Sequence, residues 1–194
     1  MRVSREQAAE NREKILNLAA NMFRERGFDG IGIADLMKEA GLTHGGFYGH
    51  FSSKEDLMAQ ACTRAVDDML QGAQTRNTER TNQDCYAAFV THYLSMDHRD
   101  NRAGGCLMAT LGAEAVRQSP EVRGAFTQGA KRVLKAVMSL VQGKSTEAQA
   151  REQAVLTLAT LVGAQVIARA IDDSELSRDV LKIVEQSLLK NRKS

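Results

Sequence analysis

The sequence predicts an all-α chain of about nine helices, with a three-helix head over residues 1–53 and a helical body over 54–194. Three observations carry this. One proline in 194 residues leaves long stretches free for helix, because proline breaks an interior helical turn. Apolar residues recur at the helical period, and no run alternates at the strand period for long. Seven of the fifteen glycines (Gly27, Gly30, Gly32, Gly41, Gly45, Gly46 and Gly49) fall in one 23-residue window, so unusual backbone is concentrated there.

The elements follow in order. Ile15, Leu18, Ala19, Met22 and Phe23 form the i, i+3, i+4, i+7, i+8 stripe of a first helix with one buried face. Gly27 stops it, and Arg24 and Arg26 complement the dipole of its last turn. A short helix fits Ile33 to Ala40, ended by Gly41, and a third piece covers Thr43 to Gly49. Ser52, with Glu55 three residues on, has capping-box spacing and predicts a long helix from about Ser53 to Arg76.

Thr81 to Met96 carries Tyr86, Phe89, Val90, Tyr93 and Leu94 at helical spacing, while polar residues 97–105 predict a loop. Gly105 to Arg117 reads as helix. Ser119-Pro120 places an N-cap before a proline at the first helical position and predicts a helix to about Val141. A break over Gly143 to Thr146 precedes two last helices, Glu147 to Ile171 and Ser174 to Lys190.

Composition narrows the function classes. With 43% hydrophobic and 26% charged residues, the chain fits one globular unit that buries about 70% of its unfolded surface. Three cysteines, at no metal-like spacing, favour a reducing cytoplasm over secretion. The first residues lack an apolar leader, and the apolar run from Val155 to Ile171, interrupted by Gln165 and Arg169, is too short to span a bilayer. Net charge is +2. Residues 1–57 hold eight Lys/Arg against nine Asp/Glu, a net of −1, so any nucleic-acid partner must be met by placed donors.

Gly41 and Leu42 supply what the turn between two such helices needs: a glycine able to take positive φ, then an apolar residue tucked inside. The stretch GFDGIGIADLMKEAGLTHGGFYGHFSSKEDL resembles the DNA-binding head of the TetR family of bacterial transcriptional regulators. Ile33-Ala34, Ala40-Gly41-Leu42, Gly45-Gly46-Phe47-Tyr48, Phe51, Lys54 and Leu57 carry the resemblance, which spans about residues 10–60.

The resemblance implies that Tyr48 and Lys54 meet DNA phosphates, that Thr43 caps the recognition helix, and that His44 reaches base edges. It implies close backbone approach at Gly45, and packing for Phe47, Phe51 and Leu57. Gly46 and Gly49 stand where the family usually has contacting side chains, leaving direct reading to His44, Thr43 and His50, with DNA shape contributing. Where the family often has Thr or Ser, Ile31 and Gly32 leave the N-cap of the second helix undefined.

The resemblance further implies a homodimer on a palindromic operator of double-stranded DNA, joined through the last two helices. Leu158, Ala159, Val162, Gly163, Val166, Val180, Val184 and Leu188 are the interface candidates. The middle helices would line an effector pocket, with Phe89, His92, Tyr93, Met96, Met108 and Phe126 as candidates. His92, polar among apolar neighbours, also fits a hydrogen-bonded core histidine.

Cys106 follows Gly104-Gly105 at a helix start, with His98, Arg99 and Arg102 just upstream, a setting that favours a thiolate. GGCLMATLGAE resembles the region by which some TetR-like repressors sense electrophiles or oxidants; packing is the alternative role, as it is for Cys62 and Cys85.

The predicted function is thus a repressor released by a small lipophilic or electrophilic effector, without cofactor, metal or membrane. An enzyme is the alternative class, but none of the G-x-S-x-G, P-loop, G-x-G-x-x-G or H-E-x-x-H patterns is present. His44/His50 and His92/His98, each six apart, point to different helix faces and do not predict a metal site. A helical interaction protein with a head that does not bind DNA is the remaining reading.

Overall fold

The computed structural model describes residues 4–76, 82–142 and 145–190. Among these it holds ten helical segments and no strand, so the all-α expectation holds: α1 (Arg5–Arg26), α2 (Ile33–Glu39), α3 (His44–Gly49), α4 (Lys54–Arg76), α5 (Asn82–Tyr93), α6 (Met96–Asp100), α7 (Leu107–Ala115), α8 (Pro120–Val141), α9 (Glu147–Ala170) and α10 (Ser174–Lys190). The expected helix start at Thr81 and part of the break over 143–146 lie outside the described residues.

The first helix opens earlier than its apolar stripe, because the Ser4 hydroxyl accepts the Gln7 N–H at 3.1 Å. It closes at Gly27, whose φ of 82° ends the helix while its N–H reaches the Phe23 carbonyl at 2.8 Å. Gly41, at φ 69°, closes α2: its N–H bonds Lys38 O, and the Leu42 N–H bonds Met37 O at 2.8 Å.

The third helix is the first departure. Only six residues long and 3₁₀ in type, it is held by i→i+3 bonds such as Gly46 N–H to Thr43 O at 3.0 Å. Three glycines in six residues weaken an α-helix by about 1 kcal/mol each relative to alanine, and a short tighter turn suffices where Phe47 is fully buried beneath it.

A second departure lies at the next cap. Ser53, not Ser52, caps α4, its hydroxyl accepting the Asp56 N–H at 3.0 Å. Asp56 then accepts the Ser52 N–H and hydroxyl, both at 2.9 Å, in the place expected for Glu55. Two serines followed by two acids fit the same spacing in two registers, and the register one residue later is the one formed.

The third departure is α6, which interrupts the expected loop over 97–105. Ser95 caps it, accepting the His98 N–H at 3.1 Å. Its polar sequence, MDHRD, carries no apolar stripe to announce it.

The long helix α4 packs on α1 on one side and on α8 on the other, so it belongs to both head and body. Where it meets α8, Gly129 gives the room: a Cβ there would lie 2.9 Å from Val66 Cγ2. α9 packs between α8 and α10. Beginning at Glu147, α9 is long and apolar enough to cross a membrane by length and composition, contrary to the short run expected. It nevertheless buries polar groups against its neighbours: Gln165 is fully buried and its amide donates to Tyr93 O, while Arg169 donates to the His98 and Arg99 carbonyls.

Candidate nucleic-acid interface and sensor region

The head is built on a cluster of aromatic rings. Phe28, Phe47, Phe51 and Leu57 are buried, with Phe23–Phe28 and Phe47–Phe51 centroids 5.6 and 5.7 Å apart. That cluster fixes α3 from below and leaves its other side to solvent. Tyr48 is 64% exposed, its ring set edge-on against Phe47. Lys54 stands at the first turn of α4, and no ion pair holds it among the described residues.

Thr43, His44 and Gly45 are exposed, and His50, which ends the helix, is half-buried. The Thr43 hydroxyl makes no capping bond to α3, contrary to expectation, because the 3₁₀ turn is closed by its carbonyl instead. The second helix likewise lacks a side-chain cap: Gly32 holds the position. A Cβ at Gly45 or Gly49 would meet nothing within 4 Å, so these glycines are not needed for packing. At Gly46 a Cβ would lie 3.5 Å from Thr43 Oγ1 and 3.7 Å from Met37 Cε, ordinary contacts. The arrangement offers hydroxyls, a histidine and open backbone on one short turn, with an ammonium at the start of the next helix, groups able to meet phosphates and base edges.

In the body a cavity of about 320 Å³ is walled by Met69, Leu70, Phe89, Val133, Val137 and Leu140. Asn21, Arg24, Asp68, His92, Tyr93 and His98 add polar groups. Of the residues expected to line an effector pocket, Phe89, His92 and Tyr93 border this cavity. Met96, Met108 and Phe126 are not among its walls; they pack half-buried against the core, Phe126 lying 3.8 Å from the Cβ position of Gly112. His92 is exposed, not a core histidine. His92 and His98, expected on different faces, are brought together, their rings tilted by 40° with centroids 5.8 Å apart, because the chain turns between α5 and α6. Among the described residues no three ligating side chains gather in a way that could hold a metal.

Cys106 stands at the N-cap of α7 but is 1% exposed and does not line the cavity. Its N–H donates to His98 Nε2 at 3.3 Å. The Tyr93 hydroxyl near it has no nitrogen or oxygen partner. Burial, then the neighbouring Cys106, pushes that hydroxyl well above its ordinary pKa, while Arg169 opposes the shift. Arg24 and Arg169 are the nearby cations: burial lowers both, and Cys106 acts in the opposite direction on each. Of the upstream residues expected to assist, His98 is in contact, while Arg99 is turned to Ser177 and Asp100, and Arg102 is exposed. Arg24 and Arg169, 82 residues before Cys106 and 63 after it, carried no local signal in the sequence.

Residues 15–61, the stretch containing this geometry, match the family described as "Bacterial regulatory proteins, tetR family". The solved reduced form of NemR from Escherichia coli superposes with a TM-score of 0.76 at 26% identity, over 91% of this chain and 96% of that one.

Residues 15–61 thus carry the head of a TetR-family regulator.

Further proteins resemble the chain in part or in fold. The curated HTH-type transcriptional repressor NemR of E. coli is 27% identical over 132 residues, 64% of either chain; the match thus spans just under two thirds of that relative. The HTH-type transcriptional repressor KstR2 of Mycolicibacterium smegmatis is 36% identical over 95 residues, 48% of this chain and 46% of the relative. A TetR regulator from Chloroflexus aurantiacus shares the fold, with a TM-score of 0.79 at 24% identity over 95% of each chain. The α9 and α10 side chains expected at a TetR-type dimer interface fall into two groups. Ala159 and Val166 are exposed; Leu158, Val162, Gly163, Val180, Val184 and Leu188 are half-buried. The same helices expose Leu156 at 62%, Ile167 at 52%, Leu176 at 51% and Ile183 at 64%, a more complete apolar face than the first set describes.

Proposed function

We propose that this chain is a TetR-family, cytoplasmic transcriptional repressor that binds a palindromic operator in double-stranded DNA as a homodimer and leaves it when an effector binds. The carrying observation is exposed Tyr48 on a 3₁₀ turn whose underside is buried aromatic packing, followed by Lys54 at the start of the next helix. Residues 1–53 form the DNA-binding unit, and 54–194 the effector-sensing and dimerisation unit. Thr43, His44, Gly45, Gly46 and His50 sit at the groove, and the names of the repressor relatives support this reading. Selection of bound duplexes from a random pool by the full chain tests it: enrichment of an inverted repeat is expected, and no enrichment over bulk DNA contradicts it.

The unpaired apolar face of α9 and α10 supports the dimer, since a lone chain would leave Leu156, Ile167, Leu176 and Ile183 in water. The cavity around Phe89, His92 and Tyr93 is the effector pocket for a small lipophilic molecule. Cys106 is a second, covalent input for electrophiles or oxidants, supported by its Arg24 and Arg169 neighbours and by the resemblance to a repressor solved in a "reduced form". Cys106→Ser is expected to keep operator binding and lose release by quinones, aldehydes or hypochlorite. Normal release of that variant would leave Cys106 as packing alone.

A further inference from the structure

A second recess, of about 310 Å³, lies at the seam between head and body. It is bounded by the last turn of α1, by the loop before α7, by α7 itself and by the end of α9. Four arginines border it, Arg24, Arg26, Arg102 and Arg169, against two acids, Glu25 and Glu114. Both acids are engaged: Glu25 pairs with Arg26 at 3.7 Å, and Glu114 accepts the Phe28 N–H at 2.8 Å.

The other three cations have no carboxylate in ion-pair contact among the described residues. Arg24, buried, donates only to neutral oxygens, those of Ala20, Gly105 and Asn21. Arg169 spends Nε and Nη2 on the carbonyls of Arg99 and His98. Arg102 is exposed, and its charge lies close enough to Arg169 to disfavour the protonated form there. Asp68 and Asp100 act on Arg24 and Arg169 from beyond contact distance. The C-terminal dipoles of α1 and α9 offset part of the charge of Arg24, Arg26 and Arg169, whereas Arg102 lies in no helix. Like charges gathered without a counterion are unfavourable, and guanidinium groups match the planar, multidentate geometry of an oxyanion.

We propose that this recess binds a small oxyanion, a phosphoryl or carboxylate group, held chiefly by Arg102 and Arg169 with Arg24 and Arg26 from α1. The recess shares Arg24 with the apolar cavity, and Arg24 and Arg169 with the surroundings of Cys106, but neither Cys106 nor the apolar walls of the cavity border it. Its occupant would join arginines of the head's first helix to arginines of the body, and so brace the seam across which effector release must act. The binding itself stands whether or not the chain is a repressor.

The test is thermal melting and titration calorimetry of the full chain with inorganic phosphate, and separately with acetate, at constant ionic strength set by chloride. A saturable rise in melting temperature with one of the two is expected, and which one separates phosphoryl from carboxylate recognition. Arg102→Ala should weaken that binding about ten-fold or more, as expected for removing one charge-assisted hydrogen bond, while melting like the parent without added anion. Arg102→Glu should abolish it. No response to either anion would overturn the proposal. So would a non-saturating rise shared equally by parent and both variants, the general effect of an excluded salt.

Discussion

Glu114, on α7 of the body, accepts the backbone N–H of Phe28 at 2.8 Å, just after the turn that ends α1. The carboxylate also fills the space beside Gly27, where a Cβ would lie 2.7 Å from Glu114 Oε1. Together with Arg24 Nη1 on Gly105 O at 3.3 Å, this ties the head's first helix to both ends of α7, the helix that begins at Cys106.

Removing that tie should be measurable. Glu114→Ala leaves the Phe28 N–H without its charged acceptor and is expected to cost about 1–2 kcal/mol, the range for a partly exposed hydrogen bond to a charged group. Glu114→Gln, which keeps an acceptor oxygen, should recover most of it. Denaturant unfolding of the three chains checks this; equal midpoints for all would remove the role given to Glu114.

The glycines of the head should separate by conformation. Gly41→Ala places a side chain at φ 69°, with only Lys14 Nζ near its Cβ at 4.0 Å, so its cost is backbone strain of about 1–2 kcal/mol. Gly45→Ala meets open space and should leave stability unchanged or slightly raised. If Gly45 serves close approach to DNA, its alanine variant will melt normally yet bind operator more weakly. Melting curves and operator titrations of both variants decide this.

Burial pushes the Cys62 thiol from an ordinary value near 9.0 up to about 12. At pH 8 the native thiolate fraction there is about one part in ten thousand, so site-resolved alkylation should leave Cys62 unmodified until the chain unfolds. The raised value also sets a sign. The stability contributed by the neutral buried thiol is complete below about pH 9 and declines as pH rises from there toward about 12. A Cys62→Ala variant should show a shallower loss of stability across that window.

The apolar face of α9 and α10 should control assembly. Leu156→Glu and Ile167→Glu, each at an exposed position, are expected to leave the helical content intact and convert dimer to monomer in sedimentation. Unchanged mass in both would place the dimer interface elsewhere or remove it.

How far this architecture was legible in the sequence depended on whether the signal was local. The cap at Ser119-Pro120 was, and the structure shows the Ser119 hydroxyl accepting the Val122 N–H with Pro120 opening α8. So was the turn at Gly41-Leu42, because one positive-φ glycine and one tucked leucine suffice to define it. The short helix α6 was not, since a single serine cap in a polar run carries no periodicity. The register of the α4 cap was ambiguous because Ser52-Ser53 and Glu55-Asp56 offer two equal pairings. The polar setting of Cys106 was beyond reach, because Arg24 and Arg169 come to it through tertiary packing of α1 and α9.

Tyr48 and Lys54 are assigned to operator phosphates, and the salt dependence of binding is the decisive measurement. With an operator obtained by selection, the slope of log affinity against log salt should be shallower for Lys54→Ala, by about one unit for each phosphate that the ammonium neutralises. Tyr48→Phe should weaken affinity while leaving that slope close to the parent's, because a hydroxyl contributes a hydrogen bond without a charge. Affinity and slope unchanged in both variants, in a chain that still selects the same repeat, would contradict the assignment.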